Sequence, residues 1–388
     1  MANTVYVDQI RKKKERRRRL RRTVMYIILI IIAALVYLKR DYLIPKLQEM
    51  GSRYTTITQN DGDLAEGNFP LTITGDAEYQ VKEAMGRIFI LSEDTLYEYS
   101  TVGNLEKSWE HRLSNTSLCT SDNRVCIYEE GSTKFQVYDK NSLIYSDETD
   151  TPILFAKFSK DGKLAVISES DTYAGCVTVY DTEGKLIYTR NCVDKIFDFV
   201  FNEKGTGAVI TFIKTSSGTL AYSMISVAFD SEINKWENKT KEAMPIETFE
   251  DTEGNIYAVT DKSCDIYSPE GGDIQSYAYN SKLVEYDFLG ERLALLLSDE
   301  ARRTMKVVVF SGESDPPLEL EFGNNLKTVK LYEDGIFLMT TEGISEYDID
   351  GKVTAEVKLE DMYSDFLKID RHIFLLGYGQ IDRIDFKK

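Results

Sequence analysis

Residues 153–191 read ILFAKFS (153–159), KLAVISE (163–169), GCVTVYD (175–181) and KLIYTRN (185–191), four runs rich in β-branched and aromatic residues. Short polar turns separate the runs, and two of these turns contain Asp161-Gly162 and Glu183-Gly184. Asp-Gly and Glu-Gly pairs supply the positive φ angles that tight hairpin turns need. Residues 153–191 therefore predict a four-stranded antiparallel unit, whose strands we call a, b, c and d.

The third run of this unit, with its aromatic residue near the end, recurs along the chain. Eight such runs carry the aromatic residues Tyr99, Tyr138, Tyr180, Phe229, Tyr267, Phe310, Tyr347 and Phe386. Successive members of this series are 39, 42, 49, 38, 43, 37 and 39 residues apart. A repeat near 40 residues that is built from strands alone is typical of β-propellers, in which each blade is one four-stranded sheet.

The two ends of the repeat region are incomplete and complement each other. The last unit has only three strands, SDFLKI (364–369), HIFLLGY (372–378) and QIDRIDF (380–386), whereas FPLTIT (69–74) is a strand without a unit. Because open sheet edges favour unwanted pairing, we expect residues 69–74 to be the outer strand of the last blade. Residues 69–388 are thus predicted to be an all-β, eight-bladed β-propeller. The alternative is a seven-bladed propeller, in which the long unit at 193–240 is misread.

Charge is distributed unevenly along the chain. The first 46 residues contain 13 Lys/Arg and three Asp/Glu, a net charge of +10, so the other 342 residues carry −27 of the total −17. The uncharged run TVMYIILIIIAALVYL (23–38) follows a basic cluster that includes Arg16, Arg17, Arg18, Arg19, Arg21 and Arg22. We predict a basic cytoplasmic tail at 1–22, one transmembrane signal-anchor helix at 23–44 and a polar stalk at 45–68.

The basic cluster predicts the topology of the anchor. Ten bases precede the predicted helix and three follow it, which indicates a cytoplasmic N-terminus and an extracytoplasmic propeller in a single-pass cell-membrane protein. A cleaved signal peptide is the alternative, but no small-x-small cleavage site follows Ala33-Ala34. The cluster could instead bind nucleic acid. Next to a membrane segment it is interpreted as a topology signal, and the acidic propeller predicts no nucleic-acid partner.

The repeat pattern resembles the quinoprotein-like and WD40-like propellers. The whole arrangement, a short basic tail, one helix and an acidic propeller outside, resembles an uncharacterised family of membrane-anchored propellers from Gram-positive bacteria. Quinoprotein-like enzymes repeat a tryptophan at the end of strand d, and here only Trp109 and Trp236 lie at such positions. The resemblance therefore implies an architecture and no activity.

The sequence contains no motif that predicts catalysis, a cofactor or a metal. Asp348-Ile349-Asp350-Gly351 begins like an EF-hand loop, but the twelfth position is Leu359 instead of the bidentate Glu. His111 and His372 lie in no Ser or Cys hydrolase context, and no phosphate loop or dinucleotide fingerprint occurs. We therefore predict no catalytic, cofactor-binding or metal-binding residues.

Two of the five cysteines form a candidate disulfide. Cys119 and Cys126 flank Ser121-Asp122-Asn123-Arg124, which is predicted to be a four-residue hairpin loop between strands a and b. That loop places Cys119 opposite Cys126 in a non-hydrogen-bonded pair, close enough for a bridge. Two small buried residues explain the pair equally well. Cys176 and Cys192 fall about three residues out of register, and Cys264 has no evident partner.

Three functions are compatible with these features. The first is a non-catalytic binding module, tethered to the membrane, whose partner is an envelope protein or a glycan. The second is an envelope assembly scaffold, which differs in requiring a stable stoichiometric complex. The third is a propeller enzyme, a lyase, glycosidase or cofactor-dependent oxidoreductase, with its site over the central channel. We expect the first, and we expect no enzymatic activity.

Overall fold

A computed structural model describes residues 68–73, 79–216, 218–312, 316–359 and 362–385. These residues form 32 β-strands, which are arranged as eight four-stranded antiparallel sheets. The all-β, eight-bladed propeller predicted from the repeat is confirmed, and the seven-bladed alternative is wrong.

The first four blades follow one another along the chain, and each runs in the order a, b, c, d from the axis outward. Blade one contains β2 (Gln80–Ala84), β3 (Arg87–Leu91), β4 (Thr95–Tyr99) and β5 (Leu105–Glu110). Blade two contains β6 (Thr116–Ser121), β7 (Arg124–Glu129), β8 (Lys134–Tyr138) and β9 (Leu143–Glu148). Blade three contains β10 (Ile153–Phe158), β11 (Leu164–Ser168), β12 (Gly175–Tyr180) and β13 (Leu186–Cys192). Blade four contains β14 (Lys195–Phe201), β15 (Gly207–Ser216), β16 (Thr219–Ala228) and β17 (Trp236–Glu237).

The second half of the ring repeats this order until the last blade. Blade five contains β18 (Pro245–Glu250), β19 (Ile256–Thr260), β20 (Ser263–Tyr267) and β21 (Asp273–Ala278). Blade six contains β22 (Lys282–Leu289), β23 (Arg292–Asp299), β24 (Thr304–Ser311) and β25 (Leu318–Gly323). Blade seven contains β26 (Leu326–Tyr332), β27 (Gly335–Thr340), β28 (Gly343–Tyr347) and β29 (Val353–Lys358). Blade eight contains β30 (Asp365–Ile369), β31 (His372–Leu376), β32 (Gln380–Asp385) and, as its outer strand, β1 (Leu71–Thr72).

Blade eight joins strands from opposite ends of the described chain. Leu71 pairs with Ile381 and Thr72 with Gln380 in antiparallel register, and Ile73 N donates to Gly379 O at 2.9 Å. The Phe69 ring packs 5.8 Å from that of Phe374, between their centroids. The ring of blades is therefore closed by hydrogen bonds and by apolar packing.

Strand b is the most deeply buried element of a blade, because both its faces pack against neighbouring blades. All five residues of β11 and of β19 are buried. One apolar cluster combines Val177 and Val179 of blade three with Ile210 and Phe212 of blade four. Burying one such side chain contributes roughly 1.5–3 kcal/mol, so the contacts between blades hold the ring together.

The turns divide into two sets that lie at opposite ends of the strands. The a–b and c–d turns lie at one end of every blade, which we call the proximal face. The b–c turns and the d–a connections lie at the other end, which we call the distal face. The chain enters blade eight at the proximal face, where the Asn68 side chain donates to that of Asn104 in the c–d turn of blade one.

The predicted anchor lies outside the described residues. This is true of the basic cluster from Arg16 to Arg22, of the transmembrane helix at 23–44 and of the stalk as far as residue 67. In the part of the chain that the structure describes, no helix has the length and hydropathy needed to cross a membrane. The anchor and its topology stay predictions.

Candidate functional site

The innermost strands of the eight blades surround a central channel. A cavity of about 440 Å³ lies within it and is lined by strand a of blades one to five. Its wall combines the aromatic side chains of Phe155 and Phe197 with charged side chains. These charged residues are Lys82, Lys157, Asp198 and Glu247.

Lys157 neutralises two carboxylates in this wall. Its Nζ lies 2.6 Å from Asp198 Oδ1 and 2.8 Å from Glu247 Oε1, so one ammonium group links strand a of three consecutive blades. Asp198 Oδ2 also accepts from Thr248 N at 2.7 Å. Burial raises the pKa of Asp198 although Lys157 opposes the rise. Burial lowers the pKa of Lys157, but the two carboxylates outweigh it and bring the pKa above its ordinary value.

Blades six to eight repeat this arrangement on the other side of the channel. Lys330 Nζ lies 3.1 Å from Asp365 Oδ2. Glu285 Oε1 accepts from the Thr328 hydroxyl at 2.8 Å, and Asp287 Oδ2 accepts from the backbone N–H of Leu331 at 2.6 Å. Burial raises the pKa of both carboxyls, Glu285 and Asp287. The polar groups of the channel wall therefore bind one another.

The channel opens at the proximal face into a wider space of about 860 Å³. Lys160 and Glu203 form an ion pair of 2.6 Å at its rim. Glu250 Oε1 accepts from Glu203 N at 3.3 Å, and burial raises the pKa of Glu250 to about 7. The mouth is acidic, but its carboxylates come from separate turns, and no group of three His, Cys, Asp or Glu residues suited to a metal occurs among the described residues.

Both histidine side chains make polar contacts within the propeller. His111 Nε2 donates to Ser92 O at 3.3 Å, and His111 Nδ1 accepts from Leu113 N at 3.1 Å. Burial lowers the pKa of His111, which favours this neutral form. His372 Nδ1 lies 2.5 Å from Asp385 Oδ1 within blade eight. Both imidazole rings thus make polar contacts within the blades, and neither contacts a nucleophilic side chain in the channel.

The register of the sheets determines which cysteines lie opposite each other. Cys119 is directly opposite Cys126 in the pairing of β6 with β7, and both are free thiols. The predicted four-residue loop is wrong, because the turn contains only Asp122 and Asn123 and Ser121 pairs with Arg124. The prediction for the second pair is also wrong. Cys192 pairs with Gly175, one residue from Cys176, so the two thiols lie on opposite faces of the sheet.

The distal face exposes apolar side chains on neighbouring blades. Tyr173, Val193, Leu220 and Met244 are 47%, 79%, 47% and 42% exposed, respectively. We call these four residues the distal patch. They come from the b–c turn of blade three, the connection between blades three and four, the tip of β16, and the connection between blades four and five.

A backbone hydrogen bond and an ion pair connect the segments that carry Tyr173, Val193 and the hairpin tip with Leu220. Ala174 N, next to Tyr173, donates to Cys192 O, next to Val193, at 2.9 Å. Asp194 then pairs with Lys214 at 3.3 Å, close to the tip of the β15–β16 hairpin. Both strands of this hairpin have ten residues, but the pairing of β15 with β14 extends only as far as Ile213. The tip of the hairpin therefore projects beyond β14, the innermost strand of the blade. The projecting tip explains the 49-residue spacing between Tyr180 and Phe229.

The distal patch is the feature that sequence reasoning missed. Single apolar residues in polar loops are common and carry little information. The available signal was the long unit at 193–240, whose extra residues lengthen the hairpin of blade four instead of forming an additional turn.

The comparisons with known proteins agree with the propeller architecture. The chain belongs to a family of unknown function (DUF5711), whose model matches residues 68–386. A comparison with curated protein sequences finds no match.

Several solved structures share the fold. BamB from Moraxella catarrhalis is 13% identical with a TM-score of 0.56, and the alignment covers 84% of this chain and 98% of that one. The C-terminal WD40 domain of Sif2 is 9% identical with a TM-score of 0.55, covering 84% and 100%. Apo AztD from Citrobacter koseri is 10% identical with a TM-score of 0.53, covering 78% and 90%. At these identities the likeness concerns the fold alone, and it confirms the resemblance to WD40-like propellers at that level.

Proposed function

We propose that this protein is a membrane-tethered, extracytoplasmic propeller that binds an envelope protein and catalyses no reaction. The single observation that carries the proposal is the distal patch. Its side chains project from loops, where burial against a partner would remove them from water. The channel offers a weaker case for binding, because Lys157 and Lys330 are already paired with carboxylates of the channel wall.

Charges around the distal patch favour a partner of particular composition. Exposed acids lie on its blade-two side, namely Glu130, Asp150, Glu169 and Asp171. On its blade-five side the exposed charges are mixed, with Lys239 and Lys262 beside Glu242 and Asp261. Complementary potentials select and orient partners. The expected partner is therefore a protein surface with apolar side chains at its centre and basic residues toward blade two.

The distal patch and the entrance of the described chain lie at opposite ends of the propeller. The predicted anchor precedes Asn68, and Asn68 lies at the proximal face.

Site-specific photo-cross-linking in intact cells tests the proposal. Benzoylphenylalanine is placed in the full-length chain at Val193 or Leu220, and at Ile349 as a control. Ile349 is 65% exposed but lies in the c–d turn of blade seven, on the proximal face. We expect one defined protein adduct from the two distal positions and none from Ile349. Equal adducts from all three positions, or adducts from Ile349 alone, would contradict the proposal.

The same experiment separates the other candidate functions. A partner that co-purifies in fixed stoichiometry without cross-linking would indicate an assembly scaffold. An adduct with a second copy of this chain would indicate self-association. The absence of any adduct at Val193 and Leu220 would reject a protein partner at this face and leave a glycan as the ligand to be tested.

A further inference from the structure

Cys119 and Cys126 are adjacent thiols on the two inner strands of blade two. They are direct partners in the antiparallel pairing of β6 with β7, so their side chains project from the same face of the sheet. Cys119 is half-buried and lines the 440 Å³ channel cavity, whereas Cys126 is completely buried behind it.

The register of β6 and β7 gives this pair a Cα separation at which a disulfide can form. Glu130 N donates to Asn115 O at 3.0 Å, which makes that pair a hydrogen-bonded one. Hydrogen-bonded pairs recur at every second residue along an antiparallel ladder, so Cys119 and Cys126 also form a hydrogen-bonded pair. The non-hydrogen-bonded pair expected from the sequence is therefore wrong. Hydrogen-bonded pairs have Cα atoms about 5.5 Å apart, which lies within the range found for disulfides. Their facing side chains are farther apart than in a non-hydrogen-bonded pair, so a bridge here would be strained and easily reduced.

We propose that Cys119 and Cys126 form a reversible disulfide in the channel wall by exchange with a disulfide-bearing oxidant. The Cys119 thiolate attacks one sulfur of the oxidant, which releases the first thiolate and leaves a mixed disulfide on Cys119. The Cys126 thiolate then attacks Cys119 Sγ, which releases the second thiol. The two cysteines lose two protons and two electrons, and the oxidant is reduced to two thiols.

The difference in burial assigns different parts to the two cysteines. Cys119 meets the oxidant because it lines the cavity. Cys126 is enclosed, and burial together with the neighbouring Cys119 thiol raises its pKa, so the second attack is the slower step. The extracytoplasmic location proposed above would supply oxidising conditions, although the chemistry itself does not depend on that location.

Thiol counting on the purified full-length protein in detergent tests this proposal. The protein is equilibrated with mixtures of oxidised and reduced glutathione, denatured and alkylated, and its mass is measured. We expect the wild type to fall from five alkylated cysteines to three, and to recover all five after treatment with dithiothreitol. Cys176→Ser is the matched control, because this half-buried thiol lies in blade three, and it should fall from four thiols to two.

Single variants of the pair distinguish the proposed order of attack. Cys126→Ser should retain one glutathione on Cys119, because no second thiol can resolve the mixed disulfide. Cys119→Ser should take up little glutathione, because Cys126 is enclosed. Retention of five thiols by the wild type at every glutathione ratio would overturn the proposal. Loss of two thiols by Cys119→Ser would also overturn it, since another pair would then be responsible.

The outcome is independent of the envelope partner. A bridge that forms while the distal positions give no cross-link would contradict the proposed function alone. A distal cross-link in a protein that keeps five thiols would contradict the disulfide alone.

Discussion

In the channel, charged side chains lie against partners of opposite sign, whereas on the distal patch apolar side chains lie against solvent. Lys157 contacts two carboxylates within 3 Å, whereas Val193 is 79% exposed. Folding pairs Lys157 with carboxylates of the same chain, whereas it leaves the apolar side chains of the distal patch in contact with water. Removing one partner of a channel ion pair should therefore reduce stability, and removing an apolar group from the patch should reduce binding.

The largest effect on stability is expected for Lys157→Met. This change leaves the buried Asp198 and the half-buried Glu247 without their cation, and we expect a loss of about 2–4 kcal/mol in the free energy of unfolding. Urea denaturation followed by tyrosine or tryptophan fluorescence measures the loss. Lys160→Met is the matched control, because its ion pair with Glu203 joins residues that are 61% and 40% exposed. The control should cost less than about 1 kcal/mol, and equal losses would show that the channel network contributes no more than a surface pair.

An intermediate effect is expected from Glu250 at the channel mouth, and it depends on pH. Burial raises the pKa of Glu250 to about 7, so between pH 4.5 and 7 the folded state binds more protons than the unfolded state. The contribution of Glu250 to the free energy of unfolding is therefore most favourable at low pH. It falls as the pH rises from 4.5 to 7 and does not change further above pH 7. Glu250→Gln should therefore equal the wild type at pH 4 and exceed it by about 1–2 kcal/mol at pH 8.

Denaturation of both proteins at several pH values measures that difference. Glu253→Gln is the control, because Glu253 is exposed in the same turn. A difference between wild type and Glu250→Gln that stays constant from pH 4 to pH 8 would contradict the assignment of the titration to Glu250.

Regular blades were predictable from sequence because their strands and turns are local. The four runs of blade three lie within one or two residues of β10, β11, β12 and β13. The positive φ angles expected at Gly162 and Gly184 are present, at 89° and 85°. In blade four the local pattern was insufficient, because the lengths of β15 and β16 exceed those of their neighbours and the outer strand β17 has only two residues.

The contacts of the channel were not predictable, because they join distant positions. Lys157, Asp198 and Glu247 lie on strand a of three consecutive blades, and nothing in the local sequence distinguishes them from the many other charged residues. Their common location on strand a was a usable signal, since strand a lines the axis of any propeller. The distal patch had no such signal, because exposure in a loop depends on how far the neighbouring loops extend.

The smallest effect on stability, together with a full effect on binding, is expected for Val193→Ser. Val193 has few contacts to lose, so the free energy of unfolding should change by less than about 0.5 kcal/mol. The cross-link from Leu220 should nevertheless weaken several-fold, because the partner would lose an apolar contact. Val227→Ser provides the opposite control, because Val227 of β16 in blade four is only 1% exposed. It should lose about 2 kcal/mol or more of stability and retain the cross-link as long as the protein is folded. If Val193→Ser cross-links as efficiently as the wild type, the distal patch is an ordinary exposed surface, and the contrast with the channel has no functional meaning.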